Sequence, residues 1–223
     1  MNFLSHFYFE RNNKDANTII GVVLPDFVKN AEKTINLYPS KEPQLFEENE
    51  VLQNILKGWE RHIKVDALFH SSEFFNNETQ KLKQLILPAI EGSPVKPFFL
   101  AHIGLELILD HLLVINGAIS INGFYDALTE ADKAALDTFL KKCRLQDTSQ
   151  FFNFLNGFIS GRYLFSYQRI ENIAYALNRI CMRIWDQPFT ESQIVLLTTQ
   201  LAIYKTQLEP NYLIIFEEIG AQL

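Results

Sequence analysis

Residues 98–121 are the most apolar stretch of the chain, and ionisable side chains interrupt it at helical intervals. His102, Glu106 and Asp110 stand four apart, and His111 follows directly. As a helix the stretch is long enough to span a bilayer. Intramembrane charges are costly, so this many ionisable groups argue against a lone anchor. The reading that remains is a helix buried in a soluble protein. Leu100, Ala101, Ile103, Leu105, Leu107, Ile108, Leu109, Leu112 and Leu113 surround the polar stripe. Glu106 and Asp110 are therefore expected to be buried or to line a pocket, where a carboxylate requires a cation, a metal or hydrogen-bond donors.

The spacing recurs in His62-x-x-x-Asp66-x-x-x-His70. Residues four apart lie on nearly one face of a helix, so each segment presents a stripe of three potential ligands. Imidazole with carboxylate suits divalent Mn, Fe or Zn. Helix bundles build metal sites from such inward-facing side chains, and His62 and His70 could share a metal with the second stripe. A purely structural network of His–carboxylate hydrogen bonds is the competing reading. Four of the chain's five His fall in these two segments, and His6 is the fifth.

Apolar residues at three- and four-residue spacings predict helices over 51–70, 98–115, 129–143, 149–160, 167–185 and 190–217. Strand alternation with hairpin turns is absent. Thr129-x-x-Asp132 and Thr190-x-x-Gln193 read as helix starts, the second as a capping box. Asn116-Gly117 and Asn122-Gly123 bracket a short turn, and Glu209-Pro210-Asn211 reads as a stop or kink. The Phe-rich segment around Phe151, Phe152, Phe154 and Phe158 reads as core. With no repeat or flexible linker in 223 residues, one all-α domain over 1–223, a helical bundle, is the economical architecture.

Composition narrows the function. A net charge of -6 argues against a general nucleic-acid binder. Two Cys, Cys143 and Cys181, cannot build a disulfide framework, and Met1–His6 lacks a basic leader, so the cytoplasm is the expected compartment. Lys142 and Arg144 flank Cys143 and could lower its pKa, but without a His nearby in sequence a catalytic thiol is a weak reading. Dinucleotide, P-loop and serine-hydrolase signatures are missing.

Several short motifs occur together in order. They are Met1-Asn2-Phe3-Leu4-Ser5-His6, Gly21 followed by Asp26-Phe27, Gly58-x-x-x-His62-x-x-x-Asp66, and Glu106-x-x-x-Asp110-His111, with Leu164, Tyr167, Ile173, Leu177 and Arg183 later. In this the chain resembles the acyl carrier protein phosphodiesterases, relatives of the HD-type metal phosphohydrolases. The resemblance implies an HD-like helical fold and a divalent metal, with Mn favoured. The implied reaction hydrolyses the phosphodiester joining 4'-phosphopantetheine to a Ser of acyl carrier protein, which makes that protein the expected partner. It points to Asp26, His62, Asp66 and Asp110 as metal ligands. His70, Glu106 and His111 would be further ligands, orienting groups or acid–base residues, and His6 a proton donor or a core hydrogen-bonding residue. Val22 stands where the family has Asn, His70 where a carboxylate is expected, and Glu106 where it has Asp; His102 is an addition. These departures leave two alternatives: an HD-like phosphohydrolase of a nucleotide or phospholipid, or a non-catalytic helical binding module. Lys57, Arg61 and Lys64 could form a basic patch for an acidic carrier protein, or simply a solvated face.

Overall fold

A computed structural model describes all residues 1–223 and contains helices and turns with no strand. In chain order the helices are α1 (Phe3–Glu10), α2 (Ala16–Ala31), α3 (Glu50–Ser71), α4 (Glu73–Ile86), α5 (Pro97–Ile115), α6 (Ile121–Glu130), α7 (Lys133–Lys142), α8 (Ser149–Gly161), α9 (Ile170–Cys181), α10 (Glu191–Leu208) and α11 (Leu213–Gly220). The all-α class read from the periodicity is what is found. Two compact units emerge, each drawn from separated stretches of chain.

The first unit comprises Met1–Ser5, Ala67–Ala118 and Phe165–Gln222. Its central helix is α5, which packs on α4, α9 and α10. Pro97 starts α5 at a position where a missing N–H costs nothing. A Cβ at Gly104 would stand 3.1 Å from the Leu82 side chain, so the absence of one lets α4 approach closely. By length and composition α5 could cross a membrane, but 67% of its most apolar stretch is buried within the protein, as a core helix requires.

The second unit comprises His6–Asp66 and Ile119–Leu164, with the terminal Leu223. Here α2 lies against α6 and α8. Phe27 meets the edge of Phe154 and the tilted ring of Phe158, so the Phe-rich segment does build core. The backbones of α2 and α3 touch where Gly21 meets Gly58. A Cβ on Gly58 would lie 2.7 Å from the Gly21 Cα and would also strike the Thr18 carbonyl. At these two glycines backbone meets backbone with no room for a side chain between them.

Boundaries differ from the periodicity in instructive places. The stretch 129–143 is split because the Asp132 carboxylate accepts from the N–H groups of Ala134 and Ala135 and so starts α7 anew. The stretch 190–217 is split at Pro210, with the Thr190–Gln193 capping box present at its start. The short turn is found at 116–119, and Asn122-Gly123 on its far side lies within α6, where Ser120 accepts from the Gly123 N–H in the first turn. Helices α1, α2, α4 and α6 were not predicted from apolar spacing.

Candidate metal centre

In the second unit, α1 contributes His6, α2 contributes Asp26 and α3 contributes His62 and Asp66. The ligand atoms of His6, His62 and Asp66 all lie within 4.8 Å of one another. His6 Nε2 is 3.2 Å from Asp66 Oδ1, and His62 Nε2 is 3.6 Å from Asp66 Oδ2. Asp26 stands slightly further out, with Oδ1 4.0 Å from His62 Nε2. The two imidazoles stack, their centroids 3.8 Å apart and their planes 17° from parallel.

The orientation of the His62 ring is fixed by the fold. Its Nδ1 lies 2.8 Å from the Val22 carbonyl, which can only accept. Nδ1 therefore carries a hydrogen, and Nε2 is the ring nitrogen turned toward the carboxylates. His6 is 1% exposed, and neither of its ring nitrogens makes an aligned hydrogen bond despite the closeness of Asp66. Burial, then the neighbouring His62, lowers its pKa to about 4, so the ring is neutral at pH 7. Burial opposes ionisation of Asp66, but the adjacent His6 and His62 outweigh it and hold the carboxyl well below the ordinary carboxylate range. The result is a neutral His6 imidazole, the His62 imidazole and one carboxylate converging on one point.

A second group lies in the first unit, where His70, at the end of α3, meets His102 and Glu106 of α5. His62 and His70, read above as possible donors to a shared metal, thus belong to different groups. Glu106 is held ionised: burial raises its pKa, while the Met1 amino group and the two imidazoles lower it by more.

Asp110 and His111 belong to neither group. Asp110 is wholly buried, and its carboxylate accepts from the Ser5 N–H at 2.7 Å, the Ser5 hydroxyl at 2.6 Å, the Leu4 N–H at 3.2 Å and the Asn2 amide at 2.8 Å. These are the free donors at the start of α1, so Asp110 is a helix cap supplied from a distant part of the chain. Burial pushes its pKa up to about 7 against the pull of those donors. His111 donates from Nδ1 to the Tyr167 carbonyl at 2.6 Å and lines a cavity with Arg169, Glu171 and Lys205.

With that geometry in view, the chain can be compared with known proteins. The family described as acyl carrier protein phosphodiesterase matches it over residues 1–219 of 223. The chain belongs to that family. Neither a curated protein nor a solved structure gives a significant match.

For an acyl carrier protein phosphodiesterase, a divalent metal is the group to test against the residues present. The His6 cluster fits one: a buried imidazole without an aligned hydrogen bond, a second oriented by a backbone carbonyl, and an ionised carboxylate. Two contributions could not be read from the sequence. The Val22 carbonyl is a backbone group, and the Gly21–Gly58 contact that brings it to His62 depends on which helices cross. Cys143 departs from expectation: burial and the nearby Glu42 push its thiol up to about 12, and Arg144 is occupied by Glu42 at 2.7 Å.

Proposed function

We propose that the protein is a cytoplasmic, metal-dependent phosphodiesterase that releases 4'-phosphopantetheine from acyl carrier protein. The observation that carries the reading is the convergence of His6, His62 and Asp66 in a chain whose family is defined by that substrate. Those three residues would hold the metal, with Asp26 at the rim. When bound, a divalent metal lowers the pKa of a coordinated water and neutralises charge on phosphate oxygens. The protein's own part is to orient the ligands, with His6 neutral and Asp66 ionised. Val22 keeps a hydrogen of His62 on Nδ1, and burial keeps His6 neutral, which makes it a poor proton donor and a good ligand. Asp26 and Asp66 keep about a third of their side-chain surface exposed, enough for a phosphodiester and a water to reach the cluster. In the overall reaction, water oxygen bonds to phosphorus, the bond from phosphorus to the Ser oxygen breaks, and that oxygen leaves as a hydroxyl.

Lys57 and Lys64 are exposed on α3 and offer positive charge for an acidic carrier protein, while Arg61 is engaged by Glu10 at 3.1 Å. The test is turnover of holo-acyl carrier protein, followed by released 4'-phosphopantetheine, in the presence of Mn. Asp66→Asn and His62→Ala should each lower turnover by roughly a hundred-fold or more while the helical circular dichroism is unchanged. Undiminished turnover in either variant would defeat the assignment. Turnover of other phosphodiesters, with none of the carrier protein, would overturn the substrate.

A further inference from the structure

We propose that His70, His102 and Glu106 form a second metal site, selective for a borderline divalent ion such as zinc and separate in its ligands from the site assigned above. His70 Nε2 and His102 Nε2 face each other at 3.1 Å, and Glu106 Oε1 lies 3.3 Å from the first and 3.0 Å from the second. Zinc–nitrogen and zinc–oxygen bonds are about 2.0–2.2 Å, so two ligands of a tetrahedral ion stand about 3.3 Å apart. The observed triangle has that size on every edge.

Hydrogen bonding alone accounts poorly for this arrangement. Each ring nitrogen presents either a hydrogen or a lone pair. If both rings carry a hydrogen on Nε2, two N–H dipoles lie side by side at 3.1 Å; if one is bare, its lone pair faces the carboxylate oxygen. A cation at the centre receives all three lone pairs at once. The Met1 nitrogen also stands 3.2 Å from Oε1, so three nitrogens converge on that oxygen.

The surroundings hold the ligands still. Phe75 meets both imidazoles edge-on, each at 5.0 Å between ring centroids. Phe69 packs against His70 and Phe98 against His102. Glu106 is nearly buried, whereas the imidazole side chains of His70 and His102 are 35% and 28% exposed, which leaves a route for the ion and a coordination position open to water. Two imidazoles with one carboxylate favour zinc-like ions over Mg or Ca, which prefer all-oxygen shells. His102 is the residue that makes the set: without it, one imidazole and one carboxylate remain.

The experiment is Co(II) titration of the chelator-treated full chain, read by bound metal per chain and by the visible ligand-field spectrum. Wild type should bind about two equivalents. His70→Gln/His102→Gln should bind one and lose the part of the spectrum contributed by the second ion, and His62→Ala/Asp66→Asn should keep that part and also bind one. His102→Asn alone, at a half-exposed position, supports the same reading if the double variant is poorly folded. Wild type binding one equivalent that survives the His70/His102 change overturns this proposal and leaves the first site standing. A single equivalent lost with His70 and His102 but retained without His62 and Asp66 upholds it and removes the first site. Binding of no metal overturns both.

Discussion

Asp110 is the residue whose chemistry depends most on where the chain has been folded to. On the apolar face of α5 it reads as a ligand, and its four donors come from Asn2, Leu4 and Ser5, more than a hundred positions away in sequence. Asp110→Ala would leave those donors unpaired in the interior and should cost about 3 kcal/mol in a urea unfolding curve, with metal stoichiometry unchanged. The pH dependence has a definite sign. Burial raises the folded pKa to about 7, above the unfolded value of 3.8, so the folded state binds more protons between those two values. The contribution is complete below the unfolded pKa and is lost as pH rises through about 7. Asp110→Asn should flatten that slope; an unaltered slope would mean that another group produces it. His62 and Asp66 were legible as candidate ligands because imidazole and carboxylate stand four apart, whereas His6 stood out only in the opening motif and not as a ligand. The grouping of the three was not legible, since period-four spacing places residues on a face without saying which face it meets.

Among the elements, α3 and α5 declared themselves through long apolar periodicity, and α10 through its capping box. Helices α1, α2 and α4 escaped because their starts depend on single caps. Asp15 accepts from the N–H groups of Asn17 and Thr18, and Ser72 from that of Phe75. Pro25 inside α2 also discouraged a continuous helix, yet α2 runs through it, its buried face of Ile19, Ile20, Val23, Leu24 and Phe27 outweighing one lost hydrogen bond. The α2–α3 crossing gives the element-scale prediction. Gly58→Ala places a methyl group against the Thr18 carbonyl and the Gly21 backbone, so the helices must separate. About 2–3 kcal/mol of stability should be lost, and metal affinity at the His62 cluster should fall with it. An Ala variant with wild-type melting would refute the close contact.

Taken whole, the chain is organised against the order of its sequence. The first unit needs residues from the beginning, middle and end, and the second takes its two main stretches from on either side of Ala67–Ala118. Reading along the sequence, with no linker in sight, points to one domain over 1–223, because interleaved segments leave no compositional seam. The consequence is that cutting the chain between the units is impossible with a single break. Fragments 1–118 and 119–223 should each show little cooperative thermal unfolding when expressed alone, measured by circular dichroism. A cooperative transition in either would show that the missing segments are dispensable.

The touching glycines of α2 and α3 bear on how such a protein can change over time. The Val22 carbonyl reaches the His62 ring next to a place where peptide groups abut and leave no room for a side chain. Leucines and isoleucines elsewhere in the second unit can be exchanged for one another, and the core can drift in composition, while the imidazole keeps its orientation. A single methyl group at either glycine undoes what many such exchanges leave intact.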